Sequence, residues 1–323
     1  MHISMMSTEH VDACHMLFNE ISQTKDFLYK PLDKLSFEEK FLNRKTEAYD
    51  IISFVYEKES VILGFISGVM HRERKKAYIT MILVDPTYRR QHIGKSLLNH
   101  FELFIKEKYA SMKTIDLVFF NPITLTWKIP HTSSDDHPNS PGVDMDSTAF
   151  IFFKAMGYDT FAIQNSYYKD IRNYQYSKDI LTRIETLKQK DINIVYATEN
   201  HEGFDQLFNN LNNPLWKKEI KDAIIAHKPV LIAETKGKMI GFTGPLAVQP
   251  SLRGYFTGIG VHSDYRGLSI GKVLFSSLCY HLNEIGAHYM TLFTGENNPA
   301  RHIYENEGFK IVRSWADMRK EIS

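Results

Sequence analysis

The chain has 323 residues, of which 39 are Lys or Arg and 38 are Asp or Glu, so its formal net charge is +1. This balance argues against broad electrostatic binding to nucleic acid or to a membrane surface, and a hydrophobic content of 43% argues against general disorder. No apolar run approaches the ~18 residues of a membrane span, and the first residues do not read as a signal peptide. Cys14 and Cys279 cannot form a disulfide framework, so we expect a reducing, cytoplasmic protein.

The sequence repeats itself once, which with the length predicts two domains. Three short matches each recur 177 positions later: Gly64-Phe65 as Gly241-Phe242, Tyr88-Arg89 as Tyr265-Arg266, and Ile93-Gly94-Lys95 as Ile270-Gly271-Lys272.

Each copy predicts strands followed by a helix. In the first copy, residues 51–57, 61–70 and 77–84 are rich in β-branched and aromatic residues. In the second copy, the equivalent strands are residues 230–234, 239–248 and 255–261. After each Ile-Gly-Lys, apolar residues recur at helical spacing: Leu97, Leu98, Phe101 and Ile105, then Leu274, Phe275, Leu278 and Leu282. Residues 177–191 predict a short connecting helix with Ser177 near its start.

The first copy has gained 26 residues within the segment 121–147, which we predict to be a long loop. It contains His131, Asp135, Asp136, His137, Asp144 and Asp146. These residue types suggest a metal site, but the zinc-type spacing with Cys is missing, so we predict no metal. The loop is better suited to shape an acceptor pocket or to rearrange the site of the first half.

A loop in the second copy carries the clearest chemical signal. Residues 258–272 predict the end of a strand, a loop of Arg and small residues, and the start of a helix. Exposed N–H groups and the helix dipole favour an anion at such a junction. Arg266 and Lys272 add positive charge, while Gly267, Ser269 and Gly271 allow a ligand to approach the backbone. The pattern therefore predicts a polyanion site.

A second motif follows at residues 297–309. Asn297 or Asn298 can cap a helix with Pro299 in its first turn, and Gly308 can end that helix in the left-handed conformation. Tyr304 is the candidate chemical group of this segment, although a Tyr packed in the core is the commoner case.

Together the motifs resemble the GNAT family of acetyl-CoA-dependent N-acetyltransferases. The family signature is an Arg/Gln-x-x-Gly-x-Gly/Ala loop between a strand and a helix, and residues 266–271 match it with Ser269 at the first Gly. Residues 89–94 match less well, with His92 at that position. The Asn-x-x-Ala-x-x-Ile-Tyr-x-x-x-Gly-Phe pattern downstream is also typical of the family. The resemblance implies an α/β (α+β) fold of two GNAT-like domains, each a mixed central sheet flanked by helices.

The resemblance also implies a binding mode for acetyl-CoA in the second half. The pyrophosphate would lie on Arg266, Gly267, Leu268, Ser269, Ile270, Gly271 and Lys272. Ile259 and Val261 would hydrogen-bond the pantetheine arm, and Asn297 would face it. Tyr304 would protonate the leaving thiolate, and no covalent intermediate on the enzyme is required. The base is not obvious: Glu296 is our candidate, with Glu234 as a second choice.

The first half departs from the pattern. Phe153 stands where the second half has Tyr304, and Asp146 where it has Asn297. A second candidate coenzyme site comprises Val84, Arg89, Arg90, Gln91, His92, Ile93, Gly94 and Lys95, in which Arg90 and His92 make the loop bulkier. We therefore expect the second half to catalyse the reaction.

The resulting prediction is a cytoplasmic enzyme that transfers acetyl from acetyl-CoA to a primary amine of a small molecule or peptide. It has a non-catalytic or degenerate domain at 1–176, a connecting helix at 177–190 and a catalytic domain at 191–323. We expect a monomer or homodimer that binds neither nucleic acid nor membrane. Two alternatives stay open: a non-catalytic, regulatory CoA-binding protein, and an aminoacyl or other acyl transferase on a double-GNAT fold.

Overall fold

The computed structural model describes residues 2–118 and 123–322, so Asn121 of the predicted insert lies outside the described residues. The chain divides into two compact units, which are Met1–Asn165 with Arg313–Ser323, and Ser166–Val312. The last strand of the sequence is thus grouped with the first unit. The domain boundaries expected from the repeat, with a connector at 177–190, stay a prediction about the duplicated sequence and do not coincide with these units.

The elements of the first part of the chain, in order, are β1 His2–Met5, α1 Val11–Ser22, α2 Lys34–Phe41, β2 Arg44–Lys45, β3 Tyr49–Lys58, β4 Val61–His71, β5 Lys76–Val84, α3 Ile93–Lys108, β6 Thr114–Leu117, β7 Trp127–Lys128, β8 Asp136–His137, β9 Val143–Asp144, α4 Thr148–Ala155 and β10 Asp159–Asp170. The elements that follow are α5 Lys178–Lys188, β11 Asn193–Tyr196, α6 Phe204–Leu211, α7 Pro214–Ile225, β12 Leu231–Thr235, β13 Lys238–Thr243, β14 Arg253–Gly254, β15 Ile259–Val261, α8 Ile270–Glu284, β16 Tyr289–Gly295, α9 Arg301–Asn306 and β17 Lys310–Glu321.

The first unit is a mixed sheet with helices on both faces. Its strand order is β1-β3-β4-β5-β6-β17, with β5 and β6 parallel and their neighbours antiparallel. The apolar stripe predicted for α3 packs into one core, where Leu97, Leu98, Phe101 and Ile105 are fully buried. Helices α1 and α2 cover the other face through an aromatic cluster. The predicted α/β fold is confirmed for this unit.

The second unit repeats this arrangement with its sheet in two parts. One part has the order β11-β12-β13-β15, and in the other β16 lies between β14 and β10. Helix α8 buries its predicted stripe of Leu274, Phe275, Leu278 and Leu282, while α6 and α7 pack on the opposite face. Helix α5, within the segment predicted as the connector, is capped by Ser177, whose Oγ accepts a hydrogen bond from the N–H of Ile180 at 3.2 Å.

Three sequence predictions of local structure are wrong in detail. The strand predicted at 239–248 ends at Thr243, because Gly244 has a φ of +116° and Pro245 has no N–H to donate to a sheet. The strand predicted at 255–261 is reduced to Ile259–Val261, because the chain changes its pairing partner before it. The insert is not a plain loop: it contains β7, β8 and β9, and β9 pairs with β17.

Candidate functional site

The sheet of the second unit opens at one place. Residues of β14 pair in parallel with β16, Arg253 opposite Tyr289 and Gly254 opposite Met290. Five residues later, β15 pairs instead with β13 in the antiparallel sense. Residues 255–258 therefore lead the chain away from β16, and a gap forms between β15 and β16.

The backbone of β15 faces this gap at the two predicted positions. The N–H of His262 donates to the carbonyl of Ile240 at 2.8 Å, which directs the even-numbered residues of β15 towards β13. Because successive residues of a strand alternate, the N–H and C=O groups of Ile259 and Val261 point to the other edge. No described strand pairs with that edge. An extended ligand with amide groups could pair there as an additional strand.

A tight loop connects this edge to α8. Gly267 and Ser269 have φ values of +80° and +66°, and the helix begins at Ile270. A Cβ at Gly267 would meet nothing within 4 Å, so the conformation and not the available space favours glycine there. The first-turn N–H groups of α8 have no intrahelical acceptors and face the loop. They can bind a phosphate oxygen as the sequence predicts.

Gly271 also serves the packing of the unit. A Cβ at this position would lie 3.2 Å from the Cδ1 of Ile303 on α9. The missing side chain thus makes room for the packing of α9 against α8, and its expected role in ligand approach stays a prediction.

The charge around the loop comes partly from a residue that sequence reasoning missed. The Nη1 of Arg183, on α5, donates a hydrogen bond of 2.6 Å to the Oγ of Ser269. Arg183 also pairs with Asp179 at 2.8 Å. The two residues are four positions apart in the sequence, which is typical of an ordinary ion pair on a helix surface. Arg183 and Lys272 line a polar cavity of about 740 Å³ within this unit. The side chain of Arg266 is exposed and makes no hydrogen bond or ion pair within residues 2–118 and 123–322.

Tyr304 lies on α9 with its ring in the core. It is 5% exposed and packs against Phe275, with ring centroids 4.9 Å apart, and against Phe256 at 6.1 Å. Burial raises the pKa of the phenol to about 12, so the hydroxyl is protonated near neutral pH. It makes no hydrogen bond with the described part of the chain, so its proton is available to a ligand.

The three carboxylates considered for the base differ in their surroundings. Glu296 follows β16, is half-buried and has no hydrogen-bond or ion-pair partner among the described residues. Glu234 accepts a hydrogen bond of 2.8 Å from the N–H of Gly237 and so fixes the β12–β13 turn. Glu219, which sequence reasoning missed, projects from α7.

Glu219 lies where the chain leaves β16. Its Oε1 accepts hydrogen bonds from the hydroxyl of Tyr255, at 2.6 Å, and from the hydroxyl of Thr257. These two hydroxyls are themselves 2.8 Å apart. The other oxygen, Oε2, accepts no hydrogen bond from the described residues. The α7 helix is held close because Gly258 leaves space for the indole of Trp216, which lies 2.5 Å from where a Cβ would be. No motif marked Glu219 in the sequence.

Helix α9 begins at Arg301 with Ala300 as its N-cap, so neither of the two Asn residues expected to cap it caps the helix itself. The Oδ1 of Asn298 accepts a hydrogen bond of 3.0 Å from the N–H of Ala300, so Asn298 caps the turn. Asn297 is exposed after β16, and its predicted contact with the pantetheine arm stays a prediction.

The first unit has the same loop backbone without glycine. Arg90 and His92 have φ values of +64° and +62°, matching Gly267 and Ser269. Here, however, the Nε of Arg89 donates to the carbonyl of Val84 at 3.3 Å. That carbonyl is the counterpart of the free carbonyl of Val261. Phe153, the counterpart of Tyr304, is buried and has no proton to give. The second candidate coenzyme site is therefore more obstructed than the first.

The two cysteines are disfavoured as nucleophiles, because burial keeps their thiols protonated. Cys14 and Cys279 are both unpaired and buried, and burial raises the pKa of each thiol, in Cys14 to about 12.

Within the described ranges no group of three His, Cys, Asp or Glu residues is placed to hold a metal ion. In the same ranges no helix is both long and apolar enough to cross a membrane.

The gap in the sheet, the helix N-terminus beside it and the protonated phenol define an acyltransferase of duplicated architecture. The chain belongs to the acetyltransferase (GNAT) family, whose sequence profile matches residues 15–120 and 194–309.

Individual relatives resemble parts or the whole of the chain. A mycothiol acetyltransferase of Thermomonospora curvata is 35% identical over 81 residues, which span 25% of this chain and 27% of that protein. A tandem GNAT protein from the clavulanic acid biosynthesis pathway shares the fold, with a TM-score of 0.60 and 15% identity over 100% of this chain and 98% of its own. A GCN5-related N-acetyltransferase of Sphaerobacter thermophilus does so with a TM-score of 0.62 and 12% identity over 99% and 96%.

Proposed function

We propose that the second half transfers the acetyl group of acetyl-CoA to a primary amine. The free edge of β15 carries this proposal, because Ile259 and Val261 offer unpaired backbone groups beside both the anion-binding loop and the buried phenol. In this arrangement the coenzyme diphosphate binds at residues 266–272 and its pantetheine arm pairs with β15. Asn297 would contact the same arm. The thioester then lies near Tyr304.

Bound acetyl-CoA supplies an acyl group on a good leaving group. The unprotonated amine attacks the carbonyl carbon and forms the new C–N bond, while the C–S bond breaks. An N–H at the β15 edge polarises the carbonyl oxygen. Tyr304 donates its proton to the departing sulfur, and a carboxylate takes the proton that the amine nitrogen loses. The phenolate then regains a proton from solvent and the carboxylic acid releases its proton to solvent, so protons and charge balance.

Two carboxylates are candidates for the proton acceptor. Glu296 follows β16, next to Asn297, and has no competing partner within residues 2–118 and 123–322. Glu219 is supported by more geometry, because Tyr255 and Thr257 orient its Oε1 at the gap, while Oε2 accepts no hydrogen bond from the described part of the chain. We therefore favour Glu219 as the base and retain Glu296 as the alternative.

The polar cavity beside α8 suits the far end of the coenzyme. Its basic side chains include Arg183 and Lys272, and Arg183 is already anchored to the loop through Ser269. A phosphate group placed there would add to the charge contacts of the diphosphate. These residues extend the predicted coenzyme site beyond the family motif.

The relatives agree with an acetyl group as the cargo and leave the acceptor open. The curated relative is named for acetylation of mycothiol, but the chain matches only about a quarter of its length. We propose a small-molecule or peptide amine, with the protein working in a reducing cytoplasm because both cysteines are unpaired. The obstructed carbonyl of Val84 supports a non-catalytic role for the first half.

An amine-panel screen that monitors release of the free thiol tests the proposal. Acetyl-CoA should also raise the melting temperature of the folded chain, and less so in Arg266→Gln. If Tyr304→Phe in the second half loses thiol release while Arg89→Gln in the first half keeps it, the result supports catalysis by the second half. The reverse pattern would place catalysis in the first half.

A further inference from the structure

The phenol assigned as the proton donor has no hydrogen bond of its own that fixes it. Tyr304 lies on α9, a helix of six residues from Arg301 to Asn306, and its hydroxyl makes no hydrogen bond with the described part of the chain. So short a helix gains little stability from its own backbone. The position of the hydroxyl therefore depends on how α9 is held against the rest of the second unit.

A carboxylate at the end of the same helix makes contacts of this kind. Glu307 is the C-cap of α9, and its side chain is only 14% exposed. Its Oε2 accepts a hydrogen bond from the hydroxyl of Ser276 on α8. Its Oε1 accepts one of 2.5 Å from the hydroxyl of Tyr174 and one of 3.4 Å from the Nζ of Lys169 on β10. Both oxygens thus have donors, which come from three other parts of the unit.

The donors are themselves fixed in place. Ser276 is fully buried and Tyr174 is nearly so. Burial raises the pKa of Tyr174, and its hydrogen bond to Glu307 acts in the same direction, so this phenol stays protonated and donates. The Nζ of Lys169 lies 4.6 Å from the centre of the Tyr174 ring and also donates to the backbone carbonyl of Glu307. Lys169 therefore holds both the side chain and the main chain at the end of α9.

The hydrogen bond between Ser276 and Glu307 joins the same two helices as the ring contact of Tyr304. Ser276 follows Phe275 on α8, and the rings of Phe275 and Tyr304 have centroids 4.9 Å apart. Glu307 comes three residues after Tyr304, so the two side chains are neighbours about one helical turn apart. Apolar packing is non-directional, whereas a hydrogen bond to a charged group has a defined geometry. The hydrogen bond thus specifies the register of α9 against α8.

Stability alone is a poor explanation for a carboxylate at this position. Removing a charge from water costs free energy that its partners return only in part, and an apolar side chain of similar volume is often as stable in such a place. In some proteins a buried ionic group instead selects one arrangement of the packed elements. Next to Tyr304, such a selection has a chemical consequence.

We propose that Glu307 is a positioning residue, which holds α9 in one register against α8 and so directs the hydroxyl of Tyr304 towards the leaving sulfur. The inference rests on the function proposed above, in which Tyr304 protonates the departing thiolate. Glu307 also lines the polar cavity assigned to the far end of the coenzyme. Because its negative charge does not strengthen the binding of a phosphate there, its contribution falls on the chemical step and not on coenzyme affinity.

A spectroscopic test measures the position of the ring without any turnover. A 3-fluorotyrosine label replaces Tyr304 in the full chain, and fluorine NMR should record one narrow resonance. Glu307→Gln and Ser276→Ala should each broaden or split it, because α9 then exchanges between registers. Ser277→Ala is the matched control, since Ser277 is also buried on α8 but its Oγ accepts a hydrogen bond of 3.2 Å from Tyr176. This variant should leave the resonance unchanged.

A double-mutant cycle tests whether Glu307 acts through the phenol. Glu307→Gln should lower kcat about tenfold for the amine found in the screen, because a displacement of about 1 Å at a reacting group is costly. Acetyl-CoA should bind to this variant at least as tightly as to wild type. In a chain that already carries Tyr304→Phe, the same change should alter thiol release by less than about twofold, since residues that act as a unit are not additive.

Three results would overturn the inference. These are an unchanged resonance in Glu307→Gln, equal changes in Ser276→Ala and Ser277→Ala, and a tenfold fall in turnover that persists in the Tyr304→Phe chain. The melting temperature shows whether each variant has folded, and Ser276→Ala, which keeps the carboxylate, carries the test if Glu307→Gln does not fold.

Failure of the proposed function gives a different pattern. A broadened resonance in Glu307→Gln, together with no thiol release from any amine in the wild-type chain, would support Glu307 as the residue that fixes the ring and would remove acetyl transfer as the reaction. A loss of about a hundredfold in Tyr304→Phe with wild-type turnover in Glu307→Gln would keep the reaction and overturn only the role of Glu307.

Discussion

The guanidinium of Arg183 donates a hydrogen bond of 2.6 Å to the hydroxyl of Ser269, and this contact ties helix α5 to the loop that begins α8. Ser269 holds a left-handed φ of +66° without being glycine. A left-handed conformation is unfavourable for a residue with a Cβ, and the hydrogen bond offsets part of this cost by fixing the side chain. The same contact places a permanent positive charge beside the helix N-terminus. A helix that the sequence predicts only as a connector therefore belongs to the candidate coenzyme site.

The first prediction concerns Arg183→Gln. We expect this change to weaken acetyl-CoA binding about tenfold, because it removes one charge-assisted contact to phosphate and releases Ser269. Isothermal titration at two salt concentrations measures the effect, and the salt dependence of the affinity should decrease together with it. Lys188→Gln, on the same helix but at its other end, removes the same charge and should leave the affinity unchanged. Equal losses in both variants would mean that only net charge matters.

The second prediction concerns Tyr304→Phe. The ring packing against Phe275 is kept and the hydroxyl makes no hydrogen bond to the described residues that could be lost, so the melting temperature and the affinity for acetyl-CoA should stay near wild type. Turnover should fall by about a hundredfold or more, because the leaving thiolate loses its proton donor. Single-turnover thiol release measures this step. Tyr167→Phe is the control: its hydroxyl donates to Glu305 at 3.0 Å and is not assigned a role in the reaction. Full turnover in Tyr304→Phe would remove the phenol from the mechanism.

The third prediction separates the two candidate bases. Glu219→Gln should lower kcat/KM about a hundredfold for the amine found in the screen, because the amine nitrogen loses its proton acceptor. Glu296→Gln should keep kcat/KM near the wild-type value. Tyr255→Phe, which removes one donor to Glu219, should lower kcat/KM by less than Glu219→Gln does. A wild-type kcat/KM in Glu219→Gln together with a loss of about a hundredfold in Glu296→Gln would transfer the role to Glu296.

The sequence was most informative where the pattern is local or duplicated. The strand pair around Gly64, the stripes of α3 and α8 and the turn at Gly308 depend on short-range periodicity and backbone preference, and each is present in the structure. The N–H and C=O groups of Ile259 and Val261 lie on the edge of β15 that faces away from β13, and their contact with a coenzyme stays a prediction. These features are determined by residues that lie close together in the chain. Because the sequence is duplicated, the same local pattern can be recognised in both copies.

The features that escaped prediction depend on contacts across long stretches of sequence. Glu219 is 36 residues from Tyr255 and Arg183 is 86 residues from Ser269, so neither forms a motif. The sequence predicts a long loop for the insert because its buried parts are short: Trp127 and His137 lie in two-residue strands with no detectable period. The grouping of Arg313–Ser323 with the first unit is likewise a matter of tertiary pairing.

The fourth prediction concerns stability and comes from Asp317, a buried carboxyl on β17. Its Oδ2 accepts a hydrogen bond of 2.9 Å from Gln164, while its Oδ1 is buried without a partner among the described residues. Burial, with a smaller contribution from Asp116, raises the pKa of Asp317 from 3.8 to about 6. A raised pKa means that the folded state binds the proton more strongly than the unfolded state.

Asp317 should therefore destabilise the fold at neutral pH. The cost develops as pH rises from about 4 to about 6 and reaches about 3 kcal/mol in the free energy of unfolding above that window. Asp317→Asn keeps an acceptor for Gln164 without the charge, so it should raise the melting temperature by about 6 °C at pH 7.5 and by less at pH 5. Asp116→Asn is the opposite case: Lys76 and Arg319 pair with that carboxylate and lower its pKa, so its loss should destabilise the protein at pH 7.5. A gain from Asp317→Asn that is equal at both pH values would show that packing, and not ionisation, controls this position.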